Sequence, residues 1–185
     1  MRWLHTYTSM IALILVLFFS ITGITLNHPE WSFGAPDSNK KVEGELNMTW
    51  LRSDQIDWLA IAETLRQRHG LKGIVSDKQA DENQGSITFK GPGYNADCFF
   101  DRKTGSYSLD IEQQGWLNVM NDLHRGRDAG KNWALFIDVS GVILTLISIT
   151  GLAMIFFLKK VRWSGLAWMV AGGIITYYLA IFATK

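Results

Sequence analysis

Three stretches of the chain are apolar throughout, with no polar–apolar alternation. Tyr7–Leu26 reads YTSMIALILVLFFSITGITL and carries no charge. At a rise of ~1.5 Å per residue such a helix crosses a ~30 Å hydrocarbon core. Trp133–Leu158 and Gly165–Ala183 are the second and third spans, joined by a Lys159-Lys160-Val161-Arg162 turn that fits only a tight hairpin. Trp163, Trp168, Tyr177 and Tyr178 suit the membrane interface. The first run is longer than the roughly 7–15 residues of a signal-peptide core, and no A-x-A site follows, so it reads as a retained anchor.

Between the first and second spans the periodicity changes. Glu30 to Trp50 is polar, with Pro36, Ser38 and Asn39, and reads as a linker. Ser53 is the expected N-cap of a helix from Asp54 to His69, stopped by Gly70. Trp58, Ile61, Ala62 and Leu65 form its apolar stripe. Strand-like runs follow at Leu71–Ser76, Ser86–Lys90, Ala96–Asp101 and Ser106–Ile111. Asp101-Arg102-Lys103-Thr104-Gly105 is a hairpin turn with Gly105 expected at positive φ. A last soluble helix is expected at Trp116–His124, with Trp116, Val119, Met120 and Leu123 on one face. The pattern predicts an α-helical membrane protein of three transmembrane helices carrying an inserted small α+β domain. Its parts are the first span (1–27), a linker plus soluble domain (28–131) and a helical hairpin (132–185).

Charge sharpens this division. Every acidic residue except Asp138 lies between His28 and Lys131. Neither part has the concentrated basic face that nucleic acid requires. The short KKVR turn should face the cytoplasm, which puts the amino terminus inside and the soluble domain outside, in the periplasm of a bacterium with an inner membrane. Arg125, Arg127 and Lys131 argue the other way, but their loop exceeds the ~60 residues over which positive charge counts. The single cysteine, Cys98, precedes Phe99 and Phe100 and reads as a buried strand thiol. The soluble span has no phosphate-binding glycine loop, no nucleophile elbow and no paired-cysteine metal motif.

The run of a helix, short strands and CFFDRKTGSYSLD resembles the PepSY domain, whose strands meet at an Asp-x-x-Thr-Gly turn. RWLHTYTSMIALILVLFFSITGITL is similar to the first of the membrane helices that accompany it, and DLHRGRDAG to the family's Leu-His-x-Gly stretch. The resemblance covers nearly the whole chain and identifies a PepSY domain with PepSY-associated transmembrane helices (PepSY-TM). Larger relatives include membrane ferric-siderophore reductases that carry b-type haem between histidines of the spans. This chain is about half their length and has three spans, so their properties carry over only residue by residue.

On that resemblance, His28 and His124 are the expected axial ligands of a haem b iron. His28 ends the first span and His124 precedes the second, so the topology brings both to one membrane face. Arg125, Arg127 and Lys131 lie nearby, and propionates favour cations. The alternative is an ordinary interfacial histidine, with Asn27-His28-Pro29 as a simple helix stop. His5 lies on the opposite face, ~35 Å of helix away. A haem there needs His5 of a second protomer or a softer ligand such as Met154; otherwise His5 is a snorkelling interfacial side chain. His69 reads as a helix C-terminal residue favoured by the dipole. Asp138 is the sole acid within a span, either functional or packed against a neighbouring hydroxyl. Ser20-Ile21-Thr22-Gly23 recurs as Ser148-Ile149-Thr150-Gly151, as a pseudo-symmetric pair of helix contacts would.

Three functions remain open. The first is a haem-carrying electron-transfer subunit, a membrane reductase of ferric chelates if it is an enzyme. It works in the bilayer as a homodimer or with a redox partner subunit, because the chain carries no nucleotide or flavin motif. The second is a haem-free PepSY binding or regulatory module. The third is an accessory subunit of a larger membrane complex.

Overall fold

A computed structural model of the chain describes residues 2–28, 30–31, 37–51 and 56–184. In chain order the elements are α1 (Arg2–Leu26), β1 (Ser38–Glu45), a 3-10 turn (Met48–Trp50), α2 (Trp58–His69), β2 (Ile74–Ala80), β3 (Gln84–Gly91), β4 (Tyr94–Asp101), β5 (Ser106–Gln113), α3 (Trp116–Arg125), α4 (Gly130–Phe157) and α5 (Arg162–Ala183). The long helices α1, α4 and α5 are each long and apolar enough to cross a membrane. Their large side chains are exposed along the length, from Ile14 in α1 to Phe182 in α5. A soluble protein hides such surface, and a bilayer covers it.

The chain forms two compact units, Met1–Leu17 with Asp138–Lys185 and Phe18–Ile137. In the first, the beginning of α1 lies beside the end of α4, where His5 meets Thr150. The α4–α5 hairpin closes where the space above Gly165 is taken by Ile155.

The second unit is built on a five-stranded antiparallel sheet ordered β1-β5-β4-β3-β2. One face alternates cleanly: Ile87 and Phe89 on β3, Ala96, Cys98 and Phe100 on β4, Tyr107 and Leu109 on β5. Helix α2 lays Ile61, Ala62 and Leu65 on that face, as its stripe predicted, with Trp58 edge-on to Phe100 at 6.0 Å. Ile61 and Leu65 each contribute about 1.5–3 kcal/mol on leaving water. Helix α2 starts at Trp58, capped by Asp57, whose carboxylate accepts from the Ala60 N–H at 3.0 Å. The expected start, Ser53 and Asp54, lies outside the described residues. Gly70 ends the helix in the left-handed conformation.

Two edge strands differ from expectation. The polar stretch read as linker contains β1, which pairs with β5 from Ser38↔Gln113 to Glu45↔Ser106. It is mostly exposed and nearly without apolar residues, because an edge strand guarded by lysine and glutamate needs no buried side. Strand β2 begins at Ile74, after Leu71 has turned into the core, and all seven of its residues are exposed. The Asp101 turn is as predicted. The Asp101 carboxylate accepts from the Lys103 and Thr104 N–H groups at 2.8 Å each, and Gly105 has φ +77°. Those backbone donors, Thr104 first, hold the Asp101 carboxyl below its usual range.

Cys98 is buried, as expected, and burial pushes its thiol up to about 12. The thiolate is the reactive form. The folded protein at pH 8 is therefore expected to resist maleimide and to label fully in SDS. Fast labelling of the native protein would show that β4 is not covered by α2.

Candidate histidine sites at the ends of α1

Helix α3 and the segment after it place His124. Gly126 caps α3 in the left-handed conformation at φ +69°, and the Trp133 indole N–H donates to the Leu123 carbonyl at 2.8 Å. His124 therefore stands in the last turn of α3. The expected apolar face, Trp116, Val119, Met120 and Leu123, is at most half-buried; the fully buried positions are Leu117 and Asn121. Asn121 is buried because it has a partner: the Thr25 hydroxyl donates to its carbonyl oxygen at 2.6 Å.

The His124 ring rests on α1. Its Nδ1 lies 2.6 Å from the Thr22 hydroxyl, and Phe19 meets the ring edge-to-face at 5.2 Å. Gly23 leaves room for it, since a Cβ there would stand 3.6 Å from His124 Cε1. Nε2 has no partner among the described residues. Burial, and then the charge of Arg125, lowers the His124 pKa, so the ring is neutral at pH 7.

His28 is half-buried beyond the end of α1. Its Nδ1 is 3.0 Å from the Glu30 carboxylate, and its ring stacks on Trp31 at 4.2 Å. Nε2 is again without a partner among the described residues. An apolar cavity of about 520 Å³ lies nearby, lined by Phe18, Ile21, Thr22, Trp31, Trp116 and Met120. His28 and His124 are thus each held by a residue of the same cavity wall: Trp31 in one case, Thr22 in the other. Among the described residues no bond or ring contact joins the two imidazoles.

Arg125 and Arg127 line a separate polar cavity of about 360 Å³ with Asn95, Gln114 and Asn118, and Arg127 approaches Asp128 at 3.4 Å. Lys131 is exposed at the start of α4. Asp138 is exposed on α4 with no partner among the described residues.

In the other unit, His5 is bound as His124 is. Its Nδ1 lies 2.9 Å from the Thr150 hydroxyl, and a Cβ at Gly151 would stand 3.1 Å from its Cε1. The repeated Ser-Ile-Thr-Gly is therefore a pair of histidine seats. The recurrence was readable in the sequence, but its occupants were not.

His69 stands apart in the soluble domain, bonded through Nε2 to the Tyr107 hydroxyl at 2.7 Å. Burial first, then Lys40 and Arg68, lowers its pKa. A lowered histidine pKa means that the unfolded chain takes up the proton first as pH falls. Stability from His69 is therefore full above pH ~6.5 and declines as pH drops below it. Denaturant midpoints for the full chain in detergent should fall between pH 7 and 5, with a shallower fall for His69→Gln. Identical slopes would remove His69 from the account.

Residues 1–184 match the family model described as putative PepSY_TM-like. No curated protein and no solved structure matches the chain.

Proposed function

The chain belongs to the PepSY_TM-like family, and from that premise we propose that it is a b-type haem-binding electron-transfer subunit of the bacterial inner membrane. The observation that carries the reading is the state of His28 and His124. Each has Nδ1 engaged, one by a carboxylate and one by a hydroxyl, and among the described residues neither Nε2 has a partner. Ligating histidines are ordinarily held in that way, with the outer partner fixing ring and tautomer. The donor set is of the kind that holds a haem, and the apolar cavity nearby is walled by Trp31 and Thr22, the residues that hold the two rings. His28 and His124 are the haem's ligands in this reading, and Arg125, Arg127 and Lys131 meet its propionates. A haem held by these two imidazoles would supply one-electron transfer. The Glu30 carboxylate holds the His28 ring through Nδ1, while burial favours the neutral form of His124.

In this reading the amino terminus is cytoplasmic and the soluble domain periplasmic, so the His28–His124 site faces outward. Reduction of ferric chelates is the reaction class implied by the family resemblance. The electrons come from a redox partner, since the chain has no nucleotide or flavin motif, and a homodimer with His5 involved would carry them across the core. Protease added to intact spheroplasts should cut between Glu30 and Lys131, and protection until lysis would reverse the orientation.

A reduced-minus-oxidised spectrum of protein purified with added haem is the direct test. A sharp α-band is expected, and a colourless protein would overturn the reading. A second reading rests on the polar cavity at Arg125 and Arg127: its amide-rich wall suits a polar ligand of a haem-free binding module.

A further inference from the structure

Thr22 and Thr150 stand in the same chemical position. Each hydroxyl has one proton, and each sits against the carbonyls of the preceding turn of its own helix. Thr22 Oγ1 is 2.5 Å from the Phe18 oxygen, and Thr150 Oγ1 is 2.9 Å from the Leu146 oxygen. Two oxygens at such distances repel unless a proton lies between them, and a carbonyl has none to give. The threonine proton is therefore committed to the carbonyl. What the hydroxyl offers the nearby imidazole is a lone pair, so the imidazole must donate. Nδ1 carries the hydrogen in both His124 and His5, and Nε2 carries a lone pair. A free imidazole in water favours the opposite tautomer.

The glycine that follows each threonine completes the seat. A Cβ at Gly151 would crowd His5 Cε1 at 3.1 Å, and one at Gly23 would just touch His124 Cε1 at 3.6 Å. The roles of the helices are exchanged between the two seats. At one end α1 supplies His5 and α4 the Thr150-Gly151 shelf; at the other α1 supplies the Thr22-Gly23 shelf and α3 supplies His124.

We propose that Thr22 and Thr150 are positioning residues that fix His124 and His5 in the Nδ1-protonated tautomer, and that Thr22 thereby leaves the His124 Nε2 lone pair free for a transition-metal ion. The use of Nε2 for iron rests on the haem reading above, whereas the proton placement stands on the chain alone.

The test uses the full chain in nanodiscs, without haem, labelled with ¹⁵N-histidine and held near pH 8. Ring ¹⁵N shifts separate a protonated from a bare nitrogen, and His5→Gln and His124→Gln spectra assign the signals. His5 and His124 are expected to show protonated Nδ1 and bare Nε2. Thr22→Val should return His124 towards the Nε2-protonated form and leave His5 unchanged. Thr150→Val should do the reverse, and Thr22→Ser should restore the wild-type signal. Added haem should then bind Thr22→Val roughly 10–100-fold more weakly, the usual cost of losing an orienting partner. A wild-type spectrum with protonated Nε2 at either residue overturns the proposal, even if the valine variants do not fold. So does a His124 signal that Thr22→Val leaves unmoved. A protein that shows the expected tautomers but stays colourless keeps this proposal and removes the haem.

Discussion

His124→Ala is expected to purify without the reduced α-band. The loss should exceed the roughly 10–100-fold weakening that follows removal of an orienting partner, because the metal-binding nitrogen itself goes. His28→Ala should give the same loss or a high-spin spectrum, and His69→Ala a wild-type one, since His69 is bonded to Tyr107 within the soluble domain. His124 also does structural work. Its removal gives up the Thr22 hydrogen bond and the Phe19 edge contact, together about 1–3 kcal/mol. The spectrum should therefore be read beside a thermal melt in detergent. His124→Gln, which can still donate to Thr22, should melt closer to wild type yet remain colourless. Full haem retention in both alanine variants would move the reading to the binding module.

Substitution of the two seat glycines should separate them. At Gly23 a Cβ meets His124 Cε1 at 3.6 Å, an ordinary contact, so Gly23→Ala is tolerated and gains up to ~1 kcal/mol of helix propensity. At Gly151 the corresponding distance to His5 is 3.1 Å, so alanine already displaces the ring and cancels that gain. Leucine reaches well beyond a Cβ that already touches the imidazole at either position, and should cost ~1–3 kcal/mol, the usual range for overpacking. Melting of the four variants in one detergent measures this. The expected order places Gly23→Ala at or above wild type, Gly151→Ala below it, and both leucine variants lowest. Equal melting for all four would mean that the imidazoles do not occupy these seats.

The spans were legible because an unbroken apolar run says the same thing at every position. The α2 stripe and the Asp101 turn were legible for a related reason, since their signals are local and repeat within a few residues. Strand β1 was not, and β2 only over Ile74–Ser76, because an edge strand exposed on both sides has no alternation to read. Among the site residues, the histidines stood out by type and the Thr-Gly pairs by repetition. What joined them was hidden: Thr22 and His124 are 102 positions apart, and His5 and Thr150 are 145. Glu30 and Trp31 lie two and three residues from His28, yet nothing in their spacing marks one as a carboxylate partner and the other as a stacking face.

Helix α3 is held at both ends of a short path. Asp122 accepts from the Gly93 N–H at the tip of the β3–β4 hairpin at 2.9 Å, while Asn121 and His124, one residue before it and two after, grip Thr25 and Thr22 of α1. Mechanically this makes α3 a strut. This ten-residue helix thus ties the hairpin tip at Gly93 to Thr22 and Thr25 of α1 through three side-chain hydrogen bonds.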